Sequence, residues 1–392
     1  MNGFRAFVVV FRKEWRDGVR DRRSLLSLAS SAVIAPILFG LLFTVLAERR
    51  RSADEIVLPV MGAAYAPAFV KWLTQQNGVT VVAAPADPER AVRDREEDVV
   101  LIIEEDFETH VARAIPAEVK LVSDVTRDGA RPKVTRVRRL VATYSQMMGG
   151  LRLIARGVAP SVATALRIEE VEVSSAQQRL AMQLGILPLL LVLSALTGGM
   201  QVAIDSTAGE RERGSLEPLL LNPVPRGALA AGKWLAASLF GCGTVVFSMV
   251  LTMSVMRRVP WHDLGIRFVV SDAALLTLLA LILPVALLLS ATVLFASTFA
   301  HSFKEAQSYL SILILVPMTP GVISTLYPLS NRPWLAPVPV LGQYALAADV
   351  LGGQAPALIY YVVAGSSAVL CAIGLVAWTA RLLTRETIVF GR

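Results

Sequence analysis

Six apolar runs along the chain are long enough to cross a membrane. They lie at residues 24–46, 181–204, 234–256, 273–299, 307–327 and 355–380. A helix rises 1.5 Å per residue, so about 20 apolar residues span the roughly 30 Å hydrocarbon core of a bilayer. Apart from Asp205, just beyond the second run, no Asp, Glu, Lys or Arg falls in or beside the centre of a run. The pattern predicts an α-helical integral membrane protein with six transmembrane helices.

The segment before the first run combines apolar positions with seven basic side chains. Such a mixture is typical of an amphipathic helix on a membrane surface, so residues 1–23 are predicted to form an interfacial helix. A plain soluble helix is the alternative. The apolar run that follows is too long, and the segment before it too extended, for a cleaved signal peptide. Residues 24–46 are therefore predicted to form the first transmembrane helix.

Residues 47–180 interrupt the apolar pattern with a long polar insertion. Short runs typical of β-strands lie at 56–61, 79–83, 98–103 and 119–122. A polar helical stretch covers 86–97, and apolar residues at helical spacing predict a long helix over 132–158. Another helical stretch runs from 160 to 179, towards the second apolar run. The insertion is predicted to be an α/β domain with long helices, followed by transmembrane helices two to six within 181–380.

The charges follow the same division. Residues 181–392 hold only 21 of the 69 charged residues, a distribution that excludes a uniform globular protein and a disordered chain. Lys and Arg concentrate before the first run, after the second run and in the tail 381–392, so the positive-inside rule places these segments and both termini in the cytoplasm. The insertion is then extracytoplasmic, although Arg49–Arg51 and Arg257–Arg258 oppose this orientation. The net charge of +7 is attributed to these loops and not to a nucleic-acid site.

Patterns that resemble ligand sites lack the spacing that the chemistry requires. Cys242 and Cys371 lie in apolar runs, which favours neither a disulfide framework nor a metal site. The acidic segment 104–110 ends in His110 but lacks the spacing of a zinc protease, and it is interpreted as a solvated loop. No metal and no directly bound cofactor are predicted.

One further segment resembles a nucleotide-binding motif but lacks a residue that the motif requires. Residues 227–234 almost repeat the phosphate-binding loop, but Trp234 replaces the hydroxyl residue that would ligate Mg²⁺. The run also leads directly into an apolar span. Lys233 is therefore interpreted as an interfacial anchor, and the chain is predicted not to be an enzyme.

The loop between the second and third runs, 205–233, is the most informative segment. Charges of alternating sign at 210–213 precede a run of leucines. Gly214 and Ser215 predict a break and a new helix, with Ser215 as N-cap and Glu217 in the first turn. These residues predict a short amphipathic helix at the membrane boundary. Such a helix can dock into a groove of a soluble partner protein. An ordinary interfacial loop is the alternative.

Several stretches together resemble the permease subunits of type-2 ABC exporters, especially the sodium-extrusion type. They are Ala208-Gly-Glu-Arg-Glu-Arg-Gly-Ser-Leu-Glu-Pro-Leu-Leu-Leu-Asn-Pro-Val with Gly232-Lys233, Ser302-Phe-Lys-Glu-Ala-Gln-Ser-Tyr-Leu with Pro317 and Pro320, and Pro339-Val-Leu-Gly-Gln before Asp349 and Gly352. Asp98-Val-Val-Leu-Ile-Ile-Glu-Glu-Asp-Phe also looks like the external domain of that family. The resemblance covers essentially the whole chain.

The resemblance implies a permease of two protomers, identical or homologous, in the plasma or inner membrane. Separate cytoplasmic ABC ATPase subunits would bind ATP and Mg²⁺ and drive efflux of Na⁺ or of a drug, lipid or peptide. By analogy, the ATPase-coupling loop comprises Asp205, Glu210, Arg211, Glu212, Arg213, Gly214 and Glu217. Lys304 and Glu305 would form a second cytoplasmic contact. The lipid bilayer is the other partner, and no nucleic acid is expected.

Three other functions stay open on the residues alone. An ion-coupled secondary transporter usually needs ionisable groups inside the membrane, and the predicted span interiors hold none. An intramembrane hydrolase needs a catalytic set at membrane depth. A non-transporting sensor or scaffold would act through 47–180.

Prolines add one structural prediction. Pro284 interrupts the fourth span, and Pro317 and Pro320 interrupt the fifth. Part of 327–346 re-enters the membrane as short helices.

Overall fold

The computed structural model describes residues 3–124, 126–127, 130–163, 166, 178, 184–261, 270–327, 329 and 332–384. The chain divides into two compact units. One comprises residues 1–43 and 174–392 and is here named the helical unit, and the other comprises 44–173 and is named the inserted unit.

The elements of the inserted unit form one continuous segment between two parts of the helical unit, and α2 extends across the first boundary. The helices are α1 (Gly3–Arg20), α2 (Arg22–Asp54), α3 (Pro67–Thr74), α4 (Pro88–Arg93), α5 (Phe107–Ala112), α6 (Arg131–Ala155), α7 (Leu187–Glu212), α8 (Leu216–Leu221), α9 (Arg226–Met256), α10 (Asp272–Ser297), α11 (Phe303–Leu313), α12 (Leu315–Leu326), α13 (Leu341–Leu351) and α14 (Leu358–Leu382). The strands are β1 (Ile56–Met61), β2 (Val79–Ala83), β3 (Val99–Ile103) and β4 (Val119–Ser123).

Six stretches of described helix are long and apolar enough to cross a membrane. They are Arg22–Glu48, Leu187–Glu212, Arg226–Met256, Asp272–Ser297, Phe303–Leu326 and Leu358–Leu382. Their number and order agree with the six predicted runs. The second and third differ most, because α7 continues to Glu212 and α9 begins at Arg226. Residues 205–212, predicted as loop, are therefore helical.

The extension of α7 passes through an irregular turn. Residues Asp205–Gly209 form a π-helical turn and Glu210–Glu212 return to α-helix. The helix continues because no proline or left-handed residue occurs before Gly214, and Glu and Arg are good helix formers. Apolar periodicity could not detect this part because its side chains are polar.

Close backbone packing joins the central helices α7 and α9. A Cβ atom added at Gly199 would lie 2.7 Å from the Ala237 carbonyl oxygen, and one added at Gly241 would lie 2.9 Å from that of Ala195. Small residues of this kind let membrane helices approach closely. At least half of the residues in the most apolar parts of the second, third and fourth spans are buried, against 28% or fewer in the first, fifth and sixth.

The structure breaks a span at one of the three prolines that were predicted to interrupt one. The fifth span breaks at Ile314 between α11 and α12. A proline ring clashes with the carbonyl four residues earlier, and for Pro317 that residue is Leu313, the last of α11. Helices α12 and α10 continue through Pro320 and Pro284, so these two interruptions are not observed. The segment 327–346 contributes a 3₁₀ turn at Pro333–Leu335 and the start of α13, so short helices are confirmed there.

The inserted unit is built on one small mixed sheet. Its strand order is β2-β1-β3-β4, with β1 parallel to β2 and β3, and β4 antiparallel to β3. Phe69 of α3, Phe107 of α5 and Val137 of α6 pack with the buried strand residues in one core. All four predicted strands and the long helix are confirmed.

One helical connection of the inserted unit is shorter than predicted. The helix expected over 86–97 is α4, which begins where the Asp87 side chain accepts a 3.0 Å hydrogen bond from the Arg90 N–H. The helix expected over 160–179 begins with a 3₁₀ turn at Pro160–Ala163. Most of the rest of that prediction lies outside the described residues.

Candidate functional site

Four charged side chains meet in a cluster that joins three helices of the helical unit. Lys13 and Glu14 come from α1, Glu210 from the end of α7 and Lys233 from the first turns of α9. Lys233 is 1% exposed, and Glu14 and Glu210 are each 4% exposed. The interpretation of Lys233 as an interfacial anchor is therefore wrong, because its ammonium group lies inside the protein.

Short ion pairs satisfy each charge in this cluster. Lys233 Nζ lies 2.7 Å from Glu14 Oε1, 2.7 Å from Glu210 Oε2 and 2.6 Å from the Ser206 carbonyl oxygen. Lys13 Nζ donates to Glu14 Oε1 at 3.0 Å and also to Glu210. Two ammonium groups thus balance two carboxylates, as a buried ionic network requires.

The π-helical turn of α7 contributes to this geometry. Irregular turns of this kind shift the normal hydrogen-bonding register of a helix and often occur at functional sites. Here the turn presents the Ser206 carbonyl to Lys233 and places Glu210 beside it. The three donors of the ammonium group therefore each have an acceptor.

Lys13 is the cluster member that reaches the surface. Its side chain is 45% exposed and also lies 3.7 Å from Asp17. Partial burial alone would lower the pKa of Lys13, but the carboxylates of Glu14 and Glu210 raise it above its ordinary value. Lys13 stays charged throughout the physiological pH range.

The predicted coupling residues fall into buried and exposed sets. Glu210 is enclosed by the cluster, so its carboxylate is not on the protein surface. Glu212, Arg213 and Gly214 are exposed. Glu210 and Lys233 lie in the parts of α7 and α9 that extend beyond the predicted runs 181–204 and 234–256, so the interiors of those runs still hold no Asp, Glu, Lys or Arg.

The end of α7 also binds the turn before α11. Arg211 Nη1 donates to the Ala300 carbonyl at 2.7 Å, and Glu212 Oε2 accepts from the Phe303 N–H at 2.7 Å. The two predicted cytoplasmic contacts, at 205–217 and 304–305, are therefore adjacent. Lys304 itself is exposed.

Glu305 has an intramolecular role in that turn. Its Oε2 accepts from the His301 N–H at 2.8 Å, while Ser302 Oγ accepts from the Glu305 N–H at 3.2 Å. This reciprocal arrangement caps α11 in the manner of a capping box. The capping contacts make Glu305 a weaker candidate for partner binding than Lys304.

A charged cleft lies beside these residues. Its volume is about 600 Å³, and it is lined by Asp21, Arg23, Gln201, Asp205, Gly209, Glu212, Arg213 and Phe303. Across one wall, Arg213 Nη1 donates to Asp205 Oδ1 at 2.7 Å. Both signs of charge line the cleft, which suits it to a polar partner surface.

Gly214 ends α7 in a defined C-terminal motif. The Ser215 N–H donates to the Glu210 carbonyl at 2.9 Å and the Gly214 N–H to the Arg211 carbonyl at 2.9 Å. Together with φ of 67° at Gly214, these bonds form a Schellman motif. The predicted break at Gly214 and the start of α8 are confirmed.

The predicted N-cap of α8 is wrong in its bonding. Ser215 occupies the N-cap position, but within the described residues its side chain makes no cap hydrogen bond. Its Oγ instead donates to the Glu210 carbonyl at 3.1 Å, closing the preceding helix. Glu217 follows in α8.

The false nucleotide motif is helical. Residues 227–234 lie in α9, where Trp234 Nε1 donates to the Leu287 carbonyl at 2.9 Å.

In the acidic segment of the inserted unit, Lys120 pairs with Glu104, and His110 lies 3.1 Å from Asp106. Among the described residues, no group of three or more His, Cys, Asp or Glu side chains is placed to hold a metal ion.

Six described helices that are long and apolar enough to cross a membrane, two of which meet α1 in the buried charged cluster, are typical of a multi-pass membrane protein. The model of the ABC-2 family transporter proteins matches residues 8–333, and the chain belongs to this family. It is 30% identical over 375 residues to the ABC transporter permease protein NatB of Bacillus subtilis (strain 168), covering 93% of this chain and 94% of that protein. No solved structure matches the chain. The protein is thus an ABC-2 permease subunit.

Proposed function

We propose that this permease couples ATP hydrolysis by separate cytoplasmic ABC ATPase subunits to export of a substrate. The observation that supports the proposal is the charged assembly around the end of α7. Glu210 ties this end to α1 and α9, and Arg211 and Glu212 tie it to the turn before α11. A force applied at 212–214 would therefore act on four elements at once.

The exposed charges around the cleft form the proposed docking surface. They are Arg23, Glu212, Arg213 and Lys304, with Gly214 at the helix end. Charge complementarity of this kind directs association and makes it sensitive to salt. Glu210 acts behind this surface by transmitting movement, and it does not touch the ATPase.

The proposed orientation follows from the distribution of basic residues. The docking surface, α1 and the tail face the cytoplasm, and the inserted unit faces the outside. The ATPase subunits supply the sites for ATP and Mg²⁺.

A second permease protomer completes the proposed transport pathway. The first, fifth and sixth spans leave much apolar surface exposed within one chain, which leaves room for protein or lipid neighbours. Cargo is proposed as Na⁺ or as a drug-like, lipid or peptide compound, with sodium favoured by the sequence resemblance.

The most direct test reverses two exposed cations that form no ion pair within the described part of the chain. Arg23→Glu with Lys304→Glu should leave the fold intact, because both side chains are exposed. The variant should lose most ATPase co-purification at physiological salt. Reversal of all four charges at 210–213 would be uninformative, because a cation at 210 would face Lys233 and Lys13 inside the protein.

A matched control carries the same charge change in the inserted unit. Lys71→Glu with Arg93→Glu also reverses two exposed cations, and it should retain the ATPase. Full retention of the ATPase by the Arg23→Glu and Lys304→Glu variant would show that the cleft is not the docking surface. Equal loss in both variants would show only a general effect of charge and would also reject the proposal.

A further inference from the structure

We propose that the inserted unit binds a small amphipathic carboxylate in a cavity between α3, α5, β4 and α6. The cavity has a volume of about 270 Å³. Its walls include Phe69, Phe107, Val141, Tyr144, Met148 and Arg152. This site is independent of the proposed ATPase contact, since it lies wholly within the inserted unit.

The apolar wall is a packed aromatic cluster. The ring of Phe69 lies 5.9 Å from that of Phe107 and 4.5 Å from that of Tyr144, and Trp72 supports Tyr144 at 5.3 Å. Aromatic pairs at these separations hold one another in place. The cavity is therefore formed before any ligand arrives, which lowers the entropic cost of binding.

The polar end of the cavity is cationic. Arg152 Nη2 donates to the Val111 carbonyl at 3.2 Å and to the Ile115 carbonyl at 3.4 Å. These bonds leave the other guanidinium donors available. No Asp or Glu lines the cavity, and in the described part of the chain no carboxylate pairs with Arg152.

The C-terminal turn of α5 places the two carbonyl acceptors of Arg152. Ala114 adopts a left-handed φ of 59°, its N–H donates to the Val111 carbonyl at 3.1 Å, and the Ile115 N–H donates to the His110 carbonyl at 2.9 Å, which together form a Schellman motif. This turn brings the carbonyls of Val111 and Ile115 within reach of the guanidinium. Tyr144 contributes a hydroxyl to the same cavity.

Size and chemistry define the ligand class. Pockets for drug-sized ligands usually exceed about 300 Å³, whereas a dry cavity of about 150 Å³ accepts benzene. The observed volume thus suits one small ring or short acyl chain, and the guanidinium suits a carboxylate. A small aromatic or aliphatic monocarboxylate meets both requirements.

The test measures binding of benzoate and hexanoate to the full-length protein in nanodiscs by saturation-transfer NMR. Benzyl alcohol and hexanol serve as neutral probes of similar size. Loss of a charge-assisted hydrogen bond costs about 1.5–3 kcal/mol, so the alcohols should bind at least roughly tenfold more weakly. Arg152→Met should remove this preference while the protein stays folded at the temperature of the assay, even though the variant loses the bonds to the Val111 and Ile115 carbonyls.

A steric variant tests the location. Gly149 lines the cavity on α6, and a Cβ atom added there meets no neighbouring atom within 4 Å. Gly149→Leu should fold, fill the cavity and abolish carboxylate binding, whereas Gly149→Ala should retain it. Undiminished binding in Gly149→Leu, equal binding of acids and alcohols, or no binding of either acid at ~5 mM would each overturn the site.

Discussion

Lys233 is the residue on which the buried cluster depends most. Its removal leaves Glu14 and Glu210 buried with only Lys13 to balance them. Breaking a buried pair in this way costs about 3–5 kcal/mol, so Lys233→Met should unfold at a clearly lower temperature than the wild type in detergent.

A second substitution provides the control for that prediction. Adding Glu210→Gln removes the excess negative charge, so the double variant should be more stable than Lys233→Met alone. Additive losses for the two substitutions would show that these groups do not form one network.

Gly214 offers a prediction about backbone conformation alone. Added Cβ atoms at Gly214 and at Gly227 both meet nothing within 4 Å, but only Gly214 has a positive φ, of 67°. Gly214→Ala should therefore destabilise the protein by about 1–2 kcal/mol, whereas Gly227→Ala should be neutral or slightly stabilising. Thermal unfolding of the two variants in parallel checks this. Equal stability would argue against the left-handed helix end.

Glu14 shows the limit of sequence prediction at this scale. It shares a four-residue spacing with Ala6, Val10 and Gly18, and the structure buries all four on one face of α1. That spacing was visible in the sequence. An acidic residue among small apolar ones could have indicated a buried partner, but the partner, Lys233, lies 219 positions away and only the fold identifies it.

Among the elements, the junction between α1 and α2 depends on one cap. Asp21 accepts hydrogen bonds from the Arg23 N–H at 3.1 Å and from the Ser24 N–H at 3.0 Å. Loss of an N-cap costs about 1 kcal/mol, so Asp21→Ala should destabilise the start of α2 by this amount. Asp21→Asn should cost less, because its side-chain oxygen also accepts. Hydrogen exchange of the first turn of α2 measures both.

The same cap has a defined pH dependence. Partial burial alone would raise the pKa of Asp21, but the hydrogen bonds from Ser24 and Arg23 hold it below its ordinary value. A carboxyl with a lowered folded-state pKa stabilises above its unfolded pKa, about 3.9, and loses this contribution as pH falls through the folded value. The protection factors of the first turn of α2, which compare the observed exchange rate with that of an unstructured chain at the same pH, should be constant from about pH 5 to 8 and fall below about pH 4 in the wild type only. A similar fall in Asp21→Ala would assign the effect to another group.

Elements defined by apolar periodicity were predictable, and those defined by polar contacts were not. The six spans and four strands follow from hydropathy and β-propensity. The helical path through 205–212 depends on tertiary bonds such as Thr207 Oγ1 to Ser297 Oγ at 2.7 Å, which no local pattern reveals. Pro284 likewise reads as a helix breaker, yet the packed helix α10 accommodates it.

For the whole molecule, two observations count against ion-coupled transport. The interiors of the predicted spans hold no Asp, Glu, Lys or Arg, and Glu210 and Lys233, which lie beyond them at helix ends, are paired with each other. Membership of the ABC-2 family is the second observation. The resemblance of the 208–224 stretch predicted the family correctly.

The central claim is that this permease has no ATP-hydrolysing activity and works with separate ATPase subunits. The most direct measurement purifies the full-length chain from its native membrane in mild detergent, identifies its stoichiometric partners and assays ATP hydrolysis. An ABC ATPase should co-purify, and hydrolysis should disappear from the preparation when Arg23→Glu and Lys304→Glu release that subunit. Hydrolysis by the isolated chain, or a transporting preparation without an ATPase, would contradict the account.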